Sequence, residues 1–535
     1  MSNKKEKAFL AIIFVLGALL RLWRLDKFPP GFTPDEAVQG YSAYSILKTG
    51  KDEWGGKFPL NLRSFGDFKP PLQTYLMIPS VALFGLDKFA VRLPNAFLGF
   101  LAILGVFLLA KEIFNNYLIG LFSAALLAFS PWHFLLSRGA FEANLTVFFI
   151  SFGTYFLLKN KQVLAALFLG LNMFSYHSAK ILTVLITLLF ILFISKKRVK
   201  KFITHNLYFM TLFLMFFLIS FSSFFTGGQK RGLDIAIFHP TDNWQVVKDE
   251  RWQAVNSGLP DFVARIFHNK ITYSLSRFGE NYFSYFSPQF LFSEGPSEGT
   301  YGMIPGRGVL WWWELPVILF GIYQFVKKPQ KNILLVILLI LMAPIPAALT
   351  KGIRAANRAA VMMPWIQLFS AWALKKMVDG LWLMAKKYRT VFYISICLYF
   401  YMSFFEDYFV QSPRKIAKPM LYGRCEALRE VKNVDVLIHA NQIIISRKLS
   451  EPQAYVMFCL KYPPQLAQQE TTSWLEYEKE NLSFLDQLGE YQLGKFVFRE
   501  INWASDSKLE NTVLIGLPQE FPPGVKFNKV IFYPD

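Results

Sequence analysis

Two adjacent carboxylates, Asp35 and Glu36, close the run Phe28-Pro-Pro-Gly-Phe-Thr-Pro34, and Lys69 follows in Gly66-Asp-Phe-Lys69-Pro-Pro-Leu72. A carboxylate beside an acceptor hydroxyl can remove its proton, while an ammonium group can hold an anion that gains charge as a bond breaks. Further cations stand where apolar blocks end. Arg138 lies in Ser137-Arg-Gly-Ala-Phe-Glu142, His177 and Lys180 in Ser175-Tyr-His-Ser-Ala-Lys180, and Lys351, Arg354 and Arg358 in Thr350-Lys-Gly-Ile-Arg-Ala-Ala-Asn-Arg358. Arg forks and Lys ammonium groups are what a phosphate requires. If these turns converge, they make a cationic pocket with an acid at its edge. Any one of these side chains could instead be snorkelling to lipid headgroups. As a set they are harder to explain so, because all fall on the side of a membrane that should be poor in Lys and Arg.

The acids have local explanations as well. Thr33 suits a helix N-cap, Pro34 the first helical position, and Glu36 completes a capping box, which accounts for Glu36 and only in part for Asp35. Asp67, two residues before Lys69, either orients the lysine or makes a turn. Asp52 and Glu53, in Thr49-Gly-Lys-Asp-Glu-Trp-Gly-Gly56, are flanked by glycine and polar residues and are expected in a solvated turn.

The elements that must carry these residues are apolar. Of 535 residues, 53% are hydrophobic, 56 of them Phe, and only 18% are charged, below the roughly 25% of soluble chains. The formal charge of +20 does not point to nucleic acid, because Lys and Arg cluster between hydrophobic blocks rather than along one soluble face. Blocks near 8–25, 88–110, 117–132, 142–158, 162–176, 181–195, 206–226, 310–326, 332–350, 359–376 and 390–410 predict about eleven membrane spans. The first is not read as a cleaved signal, since it runs into Arg21-Leu-Trp-Arg24. Trp311-Trp-Trp-Glu314 reads as an interfacial aromatic belt.

Charge alternates along the connections. Lys4, Lys5 and Lys7, then Lys111, Lys159 and Lys161, Lys196-Lys-Arg-Val-Lys-Lys201, Lys327, Lys328 and Lys331, and Lys375 to Arg389 share one side, which the positive-inside rule makes cytoplasmic. The segments 26–87, 227–309 and 411–535 fall on the other. The prediction is a polytopic α-helical transmembrane region over 1–410, in a bacterial-type cytoplasmic membrane, with its N-terminus inside. The tail 411–535 is expected outside as a small α/β domain. Its short β-type runs are Val434-Asp-Val-Leu-Ile438, Ile443-Ile-Ile445, Lys495-Phe-Val-Phe-Arg499 and Val513-Leu-Ile-Gly516, with a helical stretch at 420–431. Cys397 falls in an apolar block, whereas Cys425 and Cys459 could pair in an oxidising compartment.

Read in order, these residues form a pattern. A span followed by Pro-Pro-Gly-Phe and Asp35-Glu36, then Lys69-Pro-Pro-Leu, Ala90-Val-Arg-Leu-Pro94, Ser130-Pro-Trp-His133 and Ser137-Arg…Glu142 resembles the polytopic class-C glycosyltransferases. Within that group it is most similar to bacterial relatives of the protein O-mannosyltransferases and to the lipid A aminoarabinose transferases. The resemblance implies that Asp35 is the catalytic acid of the first exterior loop with Glu36 its supporting neighbour. It implies that Lys69 meets a carrier phosphate and that Arg138 and Glu142 flank the site. His177, Lys180, Arg354 and Arg358 fall where such proteins place cationic phosphate contacts.

The implied donor is a sugar on polyprenyl phosphate. The acceptor is a lipid, glycan or protein hydroxyl that Asp35 would deprotonate, with inversion at the anomeric carbon. The loop 227–309 is too short for the inserted β domain of the protein O-mannosyltransferases, which argues against a protein acceptor. No ligand cluster demands a cofactor, although a divalent metal could bridge Asp35 and the phosphate. A lipid or polysaccharide transporter is the competing reading. It calls for charges within spans or paired broken helices, whereas the unusual charges here sit at outer ends.

Overall fold

The computed structural model describes residues 3–194, 206–223, 244–299, 301–380, 401–433, 440–480 and 484–534, with 225, 236–238, 399 and 482. The basic run 196–201, the stretch 381–398 with Cys397, and the predicted strand 434–438 lie outside these residues.

Helix α1 (Asn3–Leu22) runs into a turn that carries the Pro-Pro-Gly segment, and α2 (Pro34–Thr49) follows. Helix α2 begins as its sequence dictates. The Thr33 side chain accepts from the Glu36 amide, Glu36 takes the Thr33 amide in return, and Pro34 opens the first turn. Gly50 ends the helix at φ 71°, a left-handed position that suits glycine. A short antiparallel hairpin, β1 (Leu62–Arg63) and β2 (Phe68–Lys69), then leads to α3 (Leu72–Phe84). The predicted exterior loop 26–87 is therefore largely ordered into helices and a hairpin.

The membrane region is built round α4 (Lys88–Phe114), which packs against α1, α3, α5 (Tyr117–Ala128) and α7 (Leu145–Leu158). Helix α6 (Pro131–Ser137) leaves α5 at a bend of 57°, because Ser130 caps a new helix and Pro131 occupies its first position. Helices α8 (Gln162–Asn172) and α9 (His177–Ile194) follow, then apolar helices at Leu207–Ser222, Glu314–Lys327, Lys331–Met342 and Met362–Gly380. Among the described residues, Lys88–Phe114 and Lys331–Ala348 are each long and apolar enough to cross a membrane, with a third crossing if α5 and α6 make one broken span. Several other apolar helices have 10–17 residues. Trp311, expected in an interfacial belt, is instead buried, its indole N–H donating to the Phe129 carbonyl at 3.1 Å, while Trp312 remains exposed.

The described part of 227–309 holds helices Gln245–Asn256, Asp261–Phe267 and Lys270–Ser284. The tail contains a mixed sheet in the order β4 (Tyr491–Leu493), β5 (Phe496–Phe498), β3 (Gln442–Ile445), β6 (Thr512–Ile515). Strand β3 is parallel to β5 and β6, and β4 is antiparallel to β5. Helix Arg424–Asn433 is tied to Pro452–Cys459 by the Cys425–Cys459 disulfide, Cα–Cα 5.6 Å.

A feature that patterning did not disclose is where the tail is buried. Phe32, Ala37, Val38 and Tyr41 from the first exterior segment share one apolar core with Tyr455, Phe458 and Trp474 from the tail. The rings of Phe32 and Phe458 lie 4.6 Å apart, and the Tyr41 hydroxyl donates to the Tyr462 carbonyl at 2.7 Å. Helix α2 is thus wedged between α4 and helix Pro452–Cys459, and Gly40 sits at the closest approach. A Cβ there would stand 2.5 Å from Val91 Cγ2 and 2.9 Å from the Phe458 ring. The change Gly40→Leu is expected to cost about 1–3 kcal/mol through overpacking, read as a lower thermal-unfolding midpoint in detergent. A midpoint equal to that of the unmodified protein would show that α2 is not clamped from both sides.

Candidate active site

The first turn of α2 divides its two acids between different tasks. Glu36 is fully buried and ion-paired with Arg92 of α4, accepting from Nε at 2.8 Å and Nη2 at 3.1 Å. It also accepts from the amides of Thr33 and Ala140, each at 3.1 Å. Arg92 spends its other donors on the carbonyls of Leu25, Pro29 and Gly31. Every polar atom of the pair is therefore matched, as a charge pair in an apolar interior requires. Asn95, one turn along α4, donates to the carbonyls of Leu136 and Gly139 and so holds the turn that presents Ala140.

Asp35 points the other way. Its Oδ1 lies 2.8 Å from Lys69 Nζ, and its side chain keeps 38% of its accessible surface, whereas that of Lys69 keeps 7%. Lys69 also pairs with Asp67 Oδ2 at 3.0 Å, and the second Asp67 oxygen accepts from the Phe68 amide at 2.6 Å. The hairpin therefore fixes Asp67, Asp67 holds the ammonium, and Asp35 is the partner with access to solvent.

Other turns meet at this pair. Glu142, in a short turn before α7, accepts from Gln39 Nε2 at 3.2 Å and lies within electrostatic reach of Lys69 and Asp35. The Tyr301 hydroxyl lies within electrostatic reach of Asp35, Tyr176, Lys69 and Glu298, and burial, then the nearby Asp35, pushes its ionisation well above the usual tyrosine range. Glu298 in turn faces Arg358 Nη2 at 3.9 Å. From the tail comes Glu451, within electrostatic reach of Asp35, Lys69 and Asp67. Among the described residues no group of three or more His, Cys, Asp or Glu is placed to hold a metal ion.

The cations expected from sequence are distributed less simply. Arg138 is fully buried. It donates to the carbonyls of Leu20, Trp23, Arg24 and Phe28 and to the Tyr408 hydroxyl, so its guanidinium closes the C-terminal end of α1 and the turn beyond it. Helix-end carbonyls that lack intrahelical partners explain why a cation belongs there. His177 bonds the Phe68 carbonyl through Nε2 at 2.8 Å, bracing the hairpin that carries Lys69. Lys180 donates to the Ser223 hydroxyl. Arg354 pairs with Glu294 at 2.6 Å, and Arg358 donates to Thr350 Oγ1 at 2.7 Å and to the Lys351 carbonyl.

Asp52 and Glu53 depart from the expected solvated turn. Both are buried, because Gln468, Thr471 and Trp474 of the tail lie over them. Asp52 accepts from the amides of Trp54 and Gly56, and the Ser42 hydroxyl faces both Glu53 oxygens at 2.7 and 3.0 Å. Burial, then the neighbouring Asp52, pushes the Glu53 carboxyl up to about 8. Neither Glu451 nor this burial was legible in the sequence, since both depend on interactions between the first exterior segment and the tail.

Residues 68–222 match the family model described as dolichyl-phosphate-mannose-protein mannosyltransferase. That stretch contains Lys69, Arg138, Glu142, His177 and Lys180, and stops short of Asp35. In fold, the chain is similar to ArnT from Cupriavidus metallidurans in the apo state, with a TM-score of 0.51 and 12% identity, covering 90% of each chain. A weaker likeness, TM-score 0.48 and 14% identity, is to the archaeal oligosaccharyltransferase AglB from Archaeoglobus fulgidus in complex with an inhibitory peptide and a dolichol-phosphate. That likeness covers 86% of this chain and 64% of AglB, so the chain spans under two thirds of its length. Comparison with curated proteins gives no match. The resemblance to class-C glycosyltransferases read from sequence is thus borne out by the family match over 68–222 and by the shared ArnT fold, a helical membrane architecture.

Two outcomes test the site's construction. The change Glu36→Gln leaves Arg92 buried without its counter-charge and is expected to cost roughly 3–5 kcal/mol, seen as a large drop in unfolding midpoint. The second concerns pH. A carboxyl whose folded-state pKa is raised to about 8 stabilises the fold fully only below its unfolded value near 4.5, and that contribution is lost as pH rises through 8. Glu53→Gln is therefore expected to reduce the fall in unfolding midpoint between about pH 6 and about pH 9. An unaltered pH slope would show that Glu53 is not titrating in the fold.

Proposed function

We propose that this chain is a membrane glycosyltransferase that takes a sugar from a polyprenyl-phosphate carrier at the exterior face and moves it to an acceptor hydroxyl. The observation that carries this reading is the Asp35–Lys69 pair at 2.8 Å, with the lysine enclosed and the acid still open. The family match over residues 68–222, which begins one residue before Lys69, supports the lipid-phosphate donor.

In this mechanism the carrier phosphate displaces the Asp35 carboxylate from Lys69. Asp67 keeps the ammonium oriented during the exchange. As the bond between the anomeric carbon and the phosphate oxygen breaks, its electron pair passes to the phosphate, and Lys69 neutralises the growing charge. The acceptor oxygen bonds the anomeric carbon from the opposite face and gives its proton to the freed Asp35, so the product is inverted. Glu36 acts through Arg92 as a positioning residue. Arg358, joined to the site through Glu298 and Tyr301, is the best placed of the remaining cations to meet the phosphate, with Arg354 beside it. Glu142 and Gln39 form the wall on the α7 side.

We place the N-terminus inside and residues 411–535 outside, with about eleven crossings. The alternation of Lys and Arg along the chain supports this placement, as does a Cys425–Cys459 disulfide, which belongs in an oxidising compartment. The described part of 227–309 is helical, which favours a lipid or glycan acceptor. Asp35→Asn is expected to slow transfer from a synthetic polyprenyl-phosphate sugar by about 10²–10⁴-fold while carrier binding survives. Unchanged transfer would remove Asp35 as the base, and turnover with nucleotide sugars alone would overturn the donor class.

A further inference from the structure

One acid at the site has no part in the mechanism above. Glu451 reaches it from the tail, at the head of helix Pro452–Cys459. Glu451 and Ser450 both adopt left-handed backbone, φ 48° and 59°, a conformation that non-glycine residues hold only when their surroundings fix it. Here the surroundings do so. The Tyr455 hydroxyl donates to the Phe32 carbonyl at 2.7 Å, Phe458 packs on Phe32, and Cys459 is bonded to Cys425. One turn of helix therefore ties Glu451 to the segment that ends in Asp35.

Parts of the residue retain some exposure, yet Glu451 Oε2 is sealed from solvent and has no hydrogen-bond partner among the described residues. A carboxylate oxygen in that condition is costly as an anion. Within its electrostatic reach are Asp35 of α2, Lys69 and Asp67 of the hairpin, and Asp486, Tyr455 and Tyr491 of the tail. Arg447 also faces Tyr491, and its Nη1 donates to the Asp486 carbonyl, while Arg424 faces Tyr455. Burial first, then Asp35, pushes the Glu451 carboxyl up to about 8.

We infer that Glu451 is a positioning residue supplied by the tail, a carboxyl that must be neutral for an anionic carrier phosphate to occupy Lys69. This rests on the phosphate reading of Lys69. With Glu451 neutral, the ammonium faces Asp35 and Asp67, and an entering phosphate needs to displace only the open one. Once Glu451 ionises, a further negative charge stands within reach of the same ammonium and opposes the phosphate. Binding therefore favours the protonated form, and affinity must fall as pH rises through 8.

The test uses the full chain in detergent and farnesyl methyl phosphate, a phosphodiester with one charge that cannot transfer a sugar. Calorimetric titration is expected to show affinity falling about tenfold between about pH 7 and about pH 9.5, the effect of one charge at effective interior dielectric. In Glu451→Gln the fall should disappear, and in Glu451→Asp, which restores a titrating group, it should return. An isotherm as steep in pH for Glu451→Gln as for the unmodified chain overturns the inference, as does a flat profile in the unmodified chain. If Glu451→Gln does not fold, the unmodified chain and Glu451→Asp still decide the matter, because both must lose affinity. No binding by the unmodified chain at any pH overturns the phosphate reading itself, an outcome distinct from a flat profile.

Discussion

The buried Glu36–Arg92 pair is the constraint on which the rest of the site depends. Two opposite charges in an apolar interior are tolerated only if every donor and acceptor is matched, and here the matching recruits four pieces of chain. Arg92 gathers the carbonyls of Leu25, Pro29 and Gly31, and Glu36 gathers the amides of Thr33 and Ala140. The end of the segment after α1, the start of α2, the outer end of α4 and the turn before α7 are thereby fixed relative to one another. Asp35 follows from this, because the residue before a fully engaged Glu36 on a capped helix has little freedom. Its carboxylate is left at the helix head, where the positive end of the helix also favours a negative charge.

A second constraint is the core shared by the first exterior segment and the tail. Phe32, Val38 and Tyr41 are buried in the same apolar cluster as Tyr455, Phe458 and Trp474 of the tail. Apolar burial of this size is worth on the order of 2 kcal/mol per large side chain, so the tail stabilises the segment that carries Asp35. The same contact seals Asp52 and Glu53 and delivers Glu451 to the site. Membrane region and tail meet at a core, and the proposed site lies at that junction.

How much of this was legible can be argued residue by residue. The capping box at Thr33 and Glu36, the cap and proline that restart the chain at Ser130 and Pro131, and the strand runs near 443, 496 and 513 are local signals, and the structure has each of them. An acid at Asp35 near the lysine of the same exterior segment was accessible from sequence, although the direct pairing of Asp35 with Lys69 was not. Partner choice was not legible. Arg138 reads as a phosphate ligand from its flanking sequence, but the carbonyls that claim it belong to residues 20–28, and spacing along one strip of sequence does not report them. Arg92 lay inside the quoted Ala90-Val-Arg-Leu-Pro94 pattern without an evident role, since the acid it meets is on another element. Glu53 and Glu451 were hidden for the same reason. Burial by distant chain overrides what a glycine-rich or proline-flanked neighbourhood suggests.

The electrostatics of the assembled site are unusual for a place proposed to hold an anion. One enclosed lysine faces Asp35 and Asp67, with Glu142 and Glu451 near by, and the arginines expected to help are engaged elsewhere or already paired. A site of several free cations would bind phosphate tightly and release it slowly. A lysine already satisfied by an acid binds phosphate by exchange, and the exchange itself unmasks the base. In the resting site the Asp35 carboxylate is held by the Lys69 ammonium. On the proposed mechanism phosphate takes its place, and the carboxylate is released at the moment an acceptor hydroxyl needs it. Such coupling requires that Asp35 be the weaker-held of the two acids on Lys69. The geometry satisfies this, since the Asp67 carboxylate also takes the Phe68 amide and only the Asp35 side chain stays open to solvent.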